Sequence, residues 1–245
     1  MGTKAKMFLG VMVLALVLMP LASITQADMK GHEGDAEMKM HHVHIVMNHG
    51  LGMVTEGSTM VMLGEMNMAS GIDAMTVDHG KQMIKDGKGV VQRALSGDEM
   101  MGMHKEGQSP DKNPAMKDTH DLGEGILKYI GLVEGMKMGS MDKNMMMEMH
   151  HQHIMINHAL EMAAEGSNLV MLGDMDMAGA VDDYTVEHGK MMIKNAKGLL
   201  GEVTGGKAMT DMHKMGTTPK DDPMMKSTHD LIERALKIID LYEKM

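Results

Sequence analysis

The sequence predicts an all-α protein, a tandem duplication of two four-helix-bundle-like units. Three observations carry that reading. The block HHVHIVMNHGLGMVTEGSTMVMLGEMNM at 41–68 returns as HHQHIMINHALEMAAEGSNLVMLGDMDM at 150–177, and this offset of 109 residues continues without a gap to Met245. About half of positions 38–136 are identical to their partners at 147–245. Apolar residues recur at helical spacing, with no strand-type alternation. Finally, Asn113-Pro114 and Asp222-Pro223 each set a capping side chain before a proline suited to the first helical position.

The elements follow in chain order. Residues 1–27 read as a signal peptide: Lys4 and Lys6 precede an apolar run at 7–22, and Thr25-Gln26-Ala27 offers a small-x-small cleavage site. That run is shorter than the roughly 20 residues needed to span a bilayer. The expected product is periplasmic or secreted and not membrane-embedded after cleavage. Residues 28–40 are polar and glycine-containing, and are expected to form a flexible leader. Repeat 1 occupies 41–135, a Met-rich linker 136–149, and repeat 2 150–245.

Within repeat 1, 41–56 reads as a helix with Val43, Val46, Met47, Met53 and Val54 on one side. His42, His49, Met53 and Glu56 share an adjoining sector, as do His151, His158, Met162 and Glu165 in repeat 2. Gly57-Ser58 and Gly166-Ser167 are expected to stop this helix and cap a shorter one at 58–69. A longer helix runs from 73 to about 95, with its counterpart from 182 to about 204. A glycine- and proline-marked loop carries His104 or His213. The last helix begins at Pro114 or Pro223.

Composition narrows the chemistry. The chain has no cysteine, which removes disulfides, iron–sulfur clusters, thiolate metal sites and covalently attached haem. A formal net charge of -10 argues against nucleic acid as a partner and is compatible with cations. There are 39 methionines against one Phe, three Tyr and no Trp. Methionine packs cores in place of the missing aromatics, but its thioether is also a soft donor suited to Cu(I) or Ag(I).

The most specific feature is a recurring pair. His49 and Met53, His79 and Met83, and Met116 and His120 are each four apart, on three expected helices; His158 and Met162, His188 and Met192, and Met225 and His229 repeat them. Residues at i and i+4 share a helix face, so each helix can present an imidazole with a thioether. If those faces converge inside a bundle, they supply nitrogen and sulfur donors to one ion. With His42 and His151, these are the candidate metal ligands. Every histidine from His41 onward has a histidine partner in the other copy. Glu56 and Glu165 beside histidines keep zinc as an alternative. His-Glu-x-x-His and paired Glu-x-x-His are absent, and no catalytic triad or phosphate loop can be argued. No enzyme is expected.

His150-His151, Ala159-Leu160-Glu161-Met162-Ala163 and the methionine tract from Met136 to Met149 resemble features of methionine/histidine-rich periplasmic copper-binding proteins, including small helical ones with His-His and Ala-x-x-Met-Ala motifs. The spacing differs, and the first copy reads Gly50-Leu51-Gly52-Met53-Val54. The resemblance is one of composition and architecture. It implies copper sequestration or delivery, as Cu(I) or also Ag(I) or Cu(II), with a copper exporter or acceptor protein as partner. Two rivals stand beside it. One is a helical interaction or stress protein with Met-rich packing faces; the other is a non-covalent haem-binding electron carrier.

Overall fold

The computed structural model describes residues 32–105, 107, 109–136, 143–214 and 222–245. The expected signal peptide lies outside the described residues. The described chain is helical, with no strand. Helix α1 (His32–Glu65) is followed by α2 (Asp73–Ser96), the eight-residue α3 (Asp98–Lys105) and α4 (Pro114–Gly135). The second copy repeats the order as α5 (Lys143–Asp174), α6 (Asp182–Gly205), the eight-residue α7 (Lys207–Lys214) and α8 (Pro223–Lys244), with one 3-10 turn (Gly179–Val181) before α6.

Several boundaries differ from the sequence reading. The first helix does not stop at Gly57-Ser58; α1 and α5 run straight through these glycines. Gly57 lies against α2, where an added Cβ would stand 2.6 Å from the Gly80 carbonyl oxygen. Gly50 meets Gly87 in the same way, and Gly166 meets Gly189. Glycines seven residues apart, two helical turns, therefore line a seam where two antiparallel helices touch backbone to backbone. The glycine signal that reads as a helix stop is in fact a close approach. Part of the expected leader is helical too, because α1 already begins at His32. The Met-rich linker shortens correspondingly, since α5 begins at Lys143. The expected loop around His104 and His213 contains α3 and α7.

Other elements fall where the sequence puts them. The Asn113 side chain accepts from the Ala115 and Met116 amides, and Asp222 accepts from Met224 and Met225. Each satisfies donors at a helix start that has no earlier turn to bond. Lys88 reaches Glu134 at 2.6 Å and Lys197 reaches Glu243 at 2.5 Å, so the same ion pair ties the second helix of each copy to its last.

The copies meet along α1–α5 and α4–α8, and the buried side chains of both form one cluster. Helices α1 and α5 are antiparallel: His44 faces Met171, and Met62 faces His153. Two asparagines at equivalent positions hold this interface. Asn48 donates to Asn168 Oδ1 (2.7 Å) and accepts from the Tyr242 hydroxyl (2.5 Å). Asn157 donates to the Thr55 carbonyl (3.1 Å) and accepts from the Tyr129 hydroxyl (2.7 Å). Burial pushes both tyrosine hydroxyls far above their ordinary range, so they serve as neutral donors.

Candidate functional site

The seam that joins α1 to α2 decides where the expected ligands go. Gly50 faces Gly87 and Gly57 faces Gly80, so His79 is level with residue 58 and sits roughly 13 Å from the level of His49 along the hairpin. Both are exposed, as are His42, His151 and His158. Met53, Met83 and Met162 are half-buried beside the seam. The structure does not bring the His49/Met53 and His79/Met83 faces together into one site. The reason is the glycine contact: with the two backbones touching, no space is left between them, and larger side chains are turned to the flanks. His42 instead lies 3.8 Å from Glu99 at the surface. In the second copy His188 and Met192 line a shallow groove together with Glu165, Asn168 and Leu169 of the facing helix.

The third pair has a different outcome. His120 Nε2 stands 3.2 Å from His104 Nε2, joining α4 to α3. The equivalent rings of His213 and His229 lie 5.5 Å apart, edge to face, and His229 Nε2 is buried with no hydrogen-bond partner. Two nitrogens bound to one ion at about 2.0–2.1 Å and the tetrahedral angle would lie about 3.3 Å apart. The His104–His120 spacing fits that value.

Buried methionines stand one turn from each histidine. Met116 precedes His120 by four residues, and Met100 precedes His104 by four; both are 0% exposed. Met209 and Met225 hold the same relation to His213 and His229, at 2% and 1%. Of these, Met116, His120, Met225 and His229 were legible as candidates. Met100, His104, Met209 and His213 were missed, although they follow the same i, i+4 rule, because their segment reads as a loop.

Electrostatics favour the neutral form of His120 and His229. Burial, then the charge of the facing histidine, lowers the pKa of His120 and of His229. Burial, then the adjacent histidine, does the same for His41 and His150. A neutral imidazole is the form that binds metal. Among the described residues no three His, Asp or Glu side chains gather around one point.

Comparison with family models, curated proteins and solved structures finds no match to this chain.

Proposed function

We propose that the protein binds soft metal ions, copper as Cu(I) before others, and that it sequesters or delivers them without catalysing a reaction. The observation that carries this is the His104–His120 pair, with nitrogens 3.2 Å apart and buried methionines one turn away on both helices. Imidazole and thioether together suit Cu(I), and the chain has no thiol to do the work instead. His213, His229, Met209 and Met225 would form the second site. Ag(I) is the closest alternative ion, and the groove at Glu165 and His188 is the better place for zinc. In this reading the chain is an exported product of tandem duplication, with two bundle-like units fused through a common core. A copper exporter or acceptor would be its partner.

The test is X-ray absorption on the Cu(I)-loaded protein. Mixed nitrogen and sulfur scattering, with the sulfur contribution reduced in Met100→Leu/Met116→Leu/Met209→Leu/Met225→Leu, supports the assignment. Purely nitrogen or oxygen coordination contradicts it.

A second reading has its own observation. Met68, Ile72 and Met75 are exposed at the α1–α2 turn, and their equivalents Met177, Val181 and Tyr184 are exposed at the α5–α6 turn. Matching apolar tips would suit a helical interaction protein that docks through its hairpin ends. Loss of partner binding on Ile72→Ser/Val181→Ser, with metal uptake unaltered, would favour it.

A further inference from the structure

The deepest histidines are not at the His pairs. His44 and His153 are 6% and 2% exposed, and each crosses from one copy to the other. His44 Nδ1 lies 3.1 Å from Met171 Sδ, and its Nε2 lies 2.8 Å from Thr119 Oγ1. His153 repeats this with Met62 Sδ at 3.1 Å and Thr228 Oγ1 at 2.9 Å.

Counting protons gives these contacts a chemical meaning. A threonine hydroxyl has one proton. Thr119 Oγ1 is 2.7 Å from the Ala115 carbonyl oxygen, and Thr228 Oγ1 is 3.0 Å from that of Met224. When the hydroxyl donates to that carbonyl, the imidazole Nε2 must carry the proton that the hydroxyl oxygen accepts. Nδ1 is then a bare lone pair facing a thioether sulfur, which has no proton either. Two soft or borderline donors would stand 3.1 Å apart with nothing shared between them. For an ion at about 2.0 Å from nitrogen and about 2.3 Å from sulfur, that separation subtends about 90°, an ordinary coordination angle.

A further donor sits one turn away. His41 precedes His44 by three residues, on the same face of α1. It is 3% exposed, and its Nδ1 is buried without a hydrogen-bond partner. It is close enough for its charge to weigh against protonation of His44. His150 is likewise 3% exposed with an unpartnered Nδ1, and weighs on His153 in the same way.

We infer that His44 with Met171, and His153 with Met62, are two additional binding sites for a soft monovalent cation, with His41 and His150 as supporting donors. Each site takes its imidazoles from one copy and its thioether from the other. The two lie at levels 18 residues apart on α1, roughly 27 Å along its axis. Filling both would clamp α1 to α5 near both ends of their contact, so metal uptake would lock the two copies together. These residues are separate from His104, His120, His213 and His229, so the two assignments can fail independently.

Silver is the probe, because Ag(I) is soft and needs no reductant. The purified protein is titrated with Ag(I) while bound ions, Tm and the imidazole ¹⁵N shifts are followed. Met62→Leu/Met171→Leu removes only the sulfurs at nearly constant volume. The expected result is two fewer tightly bound ions in that variant and loss of most of the Ag(I)-dependent rise in Tm. His104→Ala/His120→Ala/His213→Ala/His229→Ala should keep both ions between α1 and α5. In the unaltered protein Nδ1 of His44 and His153 should be unprotonated and should shift on adding Ag(I). That spectrum decides the matter even if the Leu variant does not fold. Nδ1 atoms that carry a proton and ignore Ag(I) overturn the proposal, as does unchanged stoichiometry in the Leu variant. The first result makes the contact an N–H···S hydrogen bond.

Discussion

His104 and His120 come from different helices, yet their Nε2 atoms stand 3.2 Å apart. The contact ties α3 to α4, and Met100 and Met116, one turn before the two histidines, are fully buried. By contrast His49 and His79, on the two longest-paired helices of the copy, are exposed and far apart. His49→Ala/His79→Ala should therefore leave the number of tightly bound Cu(I) ions unchanged, whereas His104→Ala/His120→Ala should reduce it by one. Anaerobic titration of the two double variants side by side checks this.

The glycine seam makes a prediction about stability. An added Cβ at Gly57 would stand 2.6 Å from the Gly80 carbonyl, which is backbone and cannot swing aside. Gly57→Ala should cost about 1–3 kcal/mol through forced separation of α1 and α2. Gly52→Ala, on the same helix with nothing within 4 Å, should instead stabilise by about 0.5–1 kcal/mol. Urea denaturation of both variants tests the contrast; equal effects would mean the helices are not in contact.

This seam also shows what the sequence could and could not reveal. The helical class, the starts of α4 and α8, and the extents of α2 and α6 were all legible, because they rest on local signals such as caps, prolines and apolar spacing. The path of α1 was not. A glycine that ends a helix and a glycine that lets two helices touch are the same letter, and only the heptad recurrence of Gly50, Gly57 and Gly64 separates them. The separation of His49 from His79 follows from that contact. His44 and His153 stayed out of view because their partners Met171 and Met62 lie in the other copy, a relation no local spacing records.

Asn157 bridges α4, α5 and α1, accepting from Tyr129 and donating to Thr55. Asn157→Ala would leave the buried Tyr129 hydroxyl without its acceptor, at a cost of about 1–3 kcal/mol. Adding Tyr129→Phe should recover part of that loss, because the orphaned hydroxyl is then removed. A double-mutant cycle by thermal or urea unfolding measures the coupling. Strict additivity would show that the bond contributes nothing.

The buried histidines set an acid limit. Burial, then the charge of His41 or His150, holds His44 and His153 down to about 4 in the fold, against 6.5 when exposed. The unfolded chain takes up protons near pH 6.5 and the folded chain only near 4. Stability should thus be fully present above about pH 6.5 and fall with acidification toward pH 4, by at most roughly 1.4 kcal/mol per pH unit for each histidine. Glu161, raised by its burial, opposes this weakly at the acid end. Unfolding of His44→Gln/His153→Gln between pH 7 and 4 should show a flatter profile; an identical slope would contradict it.

The most direct measurement is anaerobic Cu(I) binding to the purified protein in competition with a calibrated chelator, counting ions per chain. Metal handling predicts tight uptake of a small whole number, falling by two in His104→Ala/His120→Ala/His213→Ala/His229→Ala. Weak, graded binding would contradict it, and tight uptake indifferent to those four substitutions would contradict the assignment to these histidines.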